Sequence, residues 1–317
     1  MIKTIISIFL SLFLFSCSKE FNLIVPDNND ERVVVQGSIT NEEGPYFFKL
    51  SLSQKLSSMK DGLGISDALI MINDNTGTTD TLKLLPPIIQ RHPKWLYYYI
   101  TIKKYSGIND TIRLLSDDTS ILKGVYCTTK IQGIVGNTYS LKIVYKTSTI
   151  QAQEQMQIVP KIDSVKFKEQ FLEKDGQNYY VPYIYFREPK DQINYYMFNF
   201  GSDNLYNLIY GSAHIWNFSI LNDTFLTDYI SGFNLDDGAS PVGHEDFYYF
   251  NQGDKAKIRM LSLSKNAFDY YQALLKQFEN DGGAYSPTPA SPPTNLTGNA
   301  LGYFRVSAVS ENDLVVK

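Results

Sequence analysis

Cys17 is the first residue whose type and setting could do chemistry. It directly follows an apolar run of Ile5, Ile6, Ile8, Phe9, Leu10, Leu12, Phe13, Leu14 and Phe15, with Lys3 as a basic start. Such a run is a signal-peptide core, too short to span a bilayer comfortably. Leu14-Phe15-Ser16-Cys17 approximates a bacterial lipobox: an aliphatic residue, two more ending in a small one, then cysteine. The thiol is needed for a thioether to lipid, and the small residue lets a peptidase reach the bond. Phe15 is bulkier than the usual occupant. The reading is a lipoprotein signal peptide over residues 1–16 and lipidation of Cys17, with residues 17–31 as a flexible tether. Two or more acyl chains would hold such an N-terminus firmly in a membrane.

The remaining reactive types do not assemble into a catalytic pattern. Of the three histidines, His92, His214 and His244, only His244 lies among acids, between Asp236-Asp237 and Glu245-Asp246. No HExxH or EF-hand spacing accompanies it, so no metal ligands are assigned and a solvated acidic loop is expected. Asp117-Asp118 and Asp236-Asp237 are adjacent pairs, and adjacent residues on a strand point apart. No GxSxG, Walker loop or GxGxxG stands at a usable strand–helix junction. Cys127 is read as a small buried apolar residue. The expectation is a non-enzymatic protein with no cofactor.

Tyrosine is the more informative type. Tyr97-Tyr98-Tyr99, Tyr179-Tyr180, Tyr195-Tyr196, Tyr248-Tyr249 and Tyr270-Tyr271 recur along the chain. On a strand one member of a doublet faces inward and its neighbour outward. Outward tyrosine suits protein interfaces and sugar-stacking surfaces. Tyr98, Tyr180, Tyr196 and Tyr249 are therefore candidate interface residues, beside the plain reading that tyrosine suits a half-wet sheet.

Charge narrows the partners. The net charge is −4, and removing residues 1–16 takes away Lys3 and no acid, leaving 28 basic against 33 acidic residues, or −5. That balance argues against nucleic acid and against polybasic docking to anionic lipid. With Cys17 lipidated, one thiol remains, so no internal disulfide can form.

The elements that must position these residues are strands. The chain holds 23 Tyr and 19 Phe but only six Met, and aromatic and β-branched residues favour strands. Val33, Val35, Gly37 and Ile39 alternate with polar or opposite-face neighbours, and Tyr139, Leu141, Ile143 and Tyr145 do so most cleanly. Strand signals also fall at residues 46–52, 69–73, 79–85, 96–103, 149–170, 179–187, 194–201, 212–220, 247–251, 255–263 and 301–309. One helix is expected over 265–280, from Ala267, Phe268, Tyr271, Leu274, Leu275 and Phe278, capped by Ser264 or Asn266 and packed on the second sheet. The fold class is mostly β: an immunoglobulin-like β-sandwich over 32–160, then a second β domain over 161–317 carrying that helix. A Pro-rich loop at 282–300 is long enough to be mobile or functional, which makes Pro292 and Pro293 further interface candidates.

The order of features carries a resemblance. Val33-Val34-Val35-Gln36-Gly37-Ser38-Ile39 and Glu43-Gly44-Pro45-Tyr46 come early, then Gly136-Asn137-Thr138-Tyr139-Ser140-Leu141-Lys142-Ile143. Pro160-Lys161-Ile162-Asp163-Ser164-Val165 and Asn194-Tyr195-Tyr196 stand mid-chain. The close is Pro292-Pro293-Thr294-Asn295-Leu296-Thr297-Gly298-Asn299-Ala300-Leu301-Gly302-Tyr303-Phe304. This resembles the DUF4249 family, lipoproteins of Bacteroidota with no assigned chemistry. The resemblance implies an outer-membrane location and partnership with TonB-dependent receptors, beside which such proteins are often encoded. That is association rather than mechanism. In such bacteria Asp–Ser/Thr–aliphatic triplets are O-glycosylation sites, which makes Thr81, Thr111 and Ser164 candidates. The functional expectation is an accessory lipoprotein on an outer-membrane β-barrel, facing the cell surface. A stand-alone solute- or glycan-binding lipoprotein and an envelope assembly subunit are the alternatives.

Overall fold

The computed structural model describes residues 31–54, 62–85, 89–91, 98–114, 122–172, 176–190, 192–202, 218–224, 226, 228–235, 250–279 and 291–317. Cys17, all three histidines and Tyr249 lie outside them.

Alternation builds the first sandwich. In β1 (Val33–Thr40) Val35 and Ile39 point inward, and in β10 (Thr138–Tyr145) Tyr139, Leu141 and Ile143 do the same. One sheet contains β1, β2 (Phe47–Leu52), β5 (Lys83–Leu84), β9 (Val125–Cys127) and β18 (Leu301–Ser307), in the order β18-β1-β2-β9-β5. The other contains β3 (Leu69–Asp74), β4 (Thr79–Thr81), β10 and β11 (Ser148–Gln155), in the order β11-β10-β3-β4. Residues of both sheets share one core that includes Phe48, Ile70, Leu141, Ile150 and Phe304. Each such side chain contributes about 1.5–3 kcal/mol by leaving water. A separate three-stranded sheet, β6 (Ile89–Arg91), β7 (Tyr98–Lys103) and β8 (Asn109–Leu114), lies between β5 and β9 in the chain.

The second half repeats the logic. β12 (Ile162–Leu172), β13 (Gln177–Arg187) and β16 (Tyr229–Asn234) form one sheet in the order β12-β13-β16. β14 (Tyr195–Ser202), β15 (Phe218–Asn222), β17 (Lys255–Leu263) and β19 (Val309–Val315) form the other, in the order β15-β14-β17-β19. Ile184, Phe186, Tyr196, Phe198, Ile258 and Met260 fill the space they enclose. Helix α1 (Lys265–Glu279) covers Met197, Leu261 and Leu263 on the opposite side with Ala267, Phe268, Tyr271 and Leu275. Its cap is Ser264, whose Oγ accepts the Ala267 N–H at 3.1 Å. The expected mostly-β, sandwich-type fold with one packed helix is the observed one.

One expectation needs correction. The stretch 292–308, expected in the second β domain of 161–317, puts one face of its strand into the first core, while Tyr303 and Arg305 face the helix cluster. β18 pairs in parallel with β1, from Val34↔Leu301 to Thr40↔Ser307. Leu296, Ala300, Phe304, Val306 and Ala308 are buried in the first cluster. The chain then turns at Ala308 into β19, which pairs with β17 in the second half. The expected single last strand at 301–309 is thus two strands in two sheets. A period of two shows that a segment is a strand and which residues share a face. It does not show which distant edge the strand will join. Val159 packs against both cores.

Candidate functional site

The expected interface tyrosines divide three ways. Tyr196 is 0 % exposed, which corrects its assignment to a surface. Its hydroxyl donates to Glu188 Oε1 at 2.7 Å, and its ring meets Phe186 edge-on. Its partner in the doublet, Tyr195, lies against Phe268 of α1 with ring centroids 5.0 Å apart. The in–out rule holds here, but the outer side of this sheet is covered by the helix. Tyr180 also turns inward: it packs on the second core and its N–H bonds the Phe250 carbonyl. Tyr98 stands on β7, with its side chain outside the described residues, as is that of Thr111 on β8. Thr81 is exposed at the end of β4 and Ser164 is half-buried on β12.

The Pro-rich segment is corrected in part. Pro292 is half-buried and Pro293 exposed, but residues after them fold onto the first sandwich. Asn295 both donates to the Phe304 carbonyl and accepts the Phe304 N–H, so this part of the stretch is a strap rather than a loose surface.

The outward tyrosines are others, and they come singly. Val165↔Ile184, Lys166↔Tyr183 and Phe167↔Pro182 set the register of β12 on β13. Ile184 and Phe186 are buried, so Tyr183, Tyr185 and Arg187 take the other face. Val181 shares that parity but is buried, so the exposed part of the face starts at Tyr183. β16 extends it through Arg187↔Tyr229 and Tyr185↔Ser231. Gly232 sits at the shift in that ladder with φ +86°, and a Cβ there would stand 3.0 Å from the Tyr185 hydroxyl. A glycine bulge therefore leaves room for the Tyr185 ring.

Each ring on this face carries a cation. Lys168 Nζ lies 3.8 Å from the centre of Tyr183, and Lys166 Nζ lies 5.0 Å from that of Tyr185. The Arg187 guanidinium is 5.9 Å from the Tyr229 ring. Both lysines lean diagonally to the ring two residues past their direct neighbour. Exposed pairs of this kind contribute about 0.5–1 kcal/mol each. Among the described residues Lys166, Lys168 and Arg187 form no ion pair, whereas Lys190 pairs with Asp228 and Arg259 with Glu42. Of the acids nearby, Glu169 accepts from Asn178 and Asp163 stands exposed at the irregular start of β12. The sequence does carry this signal: Tyr183-Ile184-Tyr185-Phe186-Arg187 alternates in steps of two rather than as a doublet.

Three buried carboxyls serve the fold. Asp80 accepts N–H groups from Thr129, Lys130 and Ile131 at 2.8, 2.8 and 2.9 Å, and the Thr129 hydroxyl at 2.5 Å. Burial pushes its carboxyl up, but these bonds together hold it below the usual carboxylate range. Glu154 accepts from the Tyr303 hydroxyl and Asn295, and burial raises it. Glu188 accepts from Tyr196 and Asn194. Burial, and beyond it the neighbouring Asp223 carboxylate, push Glu188 up. Cys127 is half-buried, and its thiol is raised first by burial and then by Asp80, which suits a packing residue.

No helix among the described residues is long and apolar enough to cross a membrane. No curated protein matches the chain. The model of the family described as Domain of unknown function (DUF4249) matches residues 18–313, nearly all of the two β-sandwich halves, and the chain belongs to that family.

Proposed function

We propose that this chain is an exported lipoprotein of Bacteroidota, held in the outer membrane by acyl chains on Cys17. It works without catalysis as an accessory subunit of a TonB-dependent transporter or another outer-membrane β-barrel, facing the cell surface and aiding cargo capture or gating. The lipobox supports the anchor.

The observation that carries the reading is the face of β12, β13 and β16. Tyr183, Tyr185 and Tyr229 stand there under Lys168, Lys166 and Arg187, on a sheet rather than a loop. Aromatic and arginine side chains are the types that anchor protein interfaces. Removing both β13 rings should cost binding while leaving the fold intact, because neither ring enters the second core.

A tagged protein recovered from native membranes in mild detergent tests this. The parent should bring down a β-barrel protein, and the Tyr183→Ala/Tyr185→Ala variant should bring down about tenfold less. If the parent recovers no barrel, the accessory role is wrong.

A further inference from the structure

We infer that the cation-capped tyrosine face binds an extended acidic peptide segment, supplied by the partner protein. This rests on the reading above and gives its partner a chemistry.

The argument begins with the charges. The protein carries more acid than base, yet three cations share one face of one sheet. Several described cations elsewhere meet carboxylates, Lys257 with Glu311 and Asp313, Arg259 with Glu42 and Lys265 with Asp269, while Lys146 and Arg305 each rest singly on a ring. Lys166, Lys168 and Arg187 rest on rings instead. A ring satisfies part of an ammonium's field and leaves its N–H donors for another acceptor. Oppositely charged patches steer encounter and fix register.

Geometry then selects among anions. Lys166 and Lys168 are two residues apart on one strand, as are Tyr183 and Tyr185, and Tyr185 and Arg187. Two residues of strand span about 6.8 Å, with side chains returning to the same face. An extended peptide with an acid at every second position presents carboxylates at that same step. The three cation–ring pairs thus offer three seats spaced along about 14 Å of β13, the third stepping one strand, about 4.8 Å, sideways onto β16. The apolar flanks of the acids would lie on the tyrosine rings.

The test uses the full-length protein in mild detergent and fluorescein-labelled ten-residue peptides alternating Thr with Glu or Thr with Gln. Anisotropy should show binding of the Glu peptide, weakening as salt rises, and none of the Gln peptide. Lys166→Gln/Lys168→Gln/Arg187→Gln should bind about tenfold more weakly while still unfolding cooperatively, its melting temperature lowered only by the few degrees that three lost cation–ring contacts imply. Lys168→Gln alone is the milder second variant and should weaken binding in the same direction. Equal binding by the triple variant would overturn the inference. So would equally tight binding of oligo-dT or polygalacturonate, which would make the face a general polyanion surface. A partner recovered from membranes through the tyrosines, with no affinity for the Glu peptide, would overturn this chemistry and leave the accessory role standing.

Discussion

Asp80 lies wholly inside the first sandwich and still carries a charge. Its carboxylate replaces water with three backbone N–H groups and one hydroxyl from residues 129–131. Those donors have no comparable acceptor if the side chain is cut back. Asp80→Ala should therefore lower stability by on the order of 3–5 kcal/mol, read by urea unfolding. The pH dependence has a fixed sign. The folded-state pKa is depressed, so the stabilisation is complete above the unfolded value of about 3.9. It fades as pH falls through the folded value. The gap between parent and variant should narrow in acid; a gap that widens there would contradict the assignment. Glu188 and Glu154 carry the opposite sign, since burial raises both. Their ionisation works against the fold as pH rises. In the sequence Asp80 stands out only as part of the triplet Asp80-Thr81-Leu82. A period-two pattern shows Asp80 facing inward with Leu82 only once the neighbouring strand is known.

At the scale of the element, the strongest sequence signals gave true elements. The alternation of β1, β10 and β17 and the three-four spacing of α1 reflect burial on one face, which local sequence records directly. β6, β8, β9 and β16 fall outside the expected strands; β6 and β9 are three residues each, too short to show a period of two. The pairing of β18 with β1 could not be read either, because nothing local names a partner 267 residues away. The motif at the chain's close does acquire a physical meaning. Gly302 has φ +95°, and a Cβ there would stand 2.0 Å from the Val35 carbonyl oxygen. Only glycine lets β18 come that close to β1. Gly302→Ala should destabilise by on the order of 3 kcal/mol, the sum of a left-handed backbone cost and a forced separation of strands. Urea denaturation of the variant checks it, and a loss below about 0.5 kcal/mol would show that the two strands separate freely.

Over the whole molecule, the two halves are closed by one run of chain. β18 completes the first sheet and β19 the second, with Ala308 buried between them. The Ala308 N–H bonds Ser262 Oγ at 2.8 Å, and Arg259 reaches Glu42 across the halves. The candidate site was legible in kind and not in place. Tyrosine on strands was the right residue type, but which tyrosines reach solvent depends on α1 covering Tyr195 and on the second core taking Tyr180 and Tyr196. The most direct measurement of the central claim is photo-crosslinking in intact cells with a benzophenone amino acid at position 185. The account predicts an adduct with an outer-membrane β-barrel protein, lost when the same group is placed at the exposed Lys142 of the first sandwich. No adduct at 185, or the same adduct at 142, would contradict it.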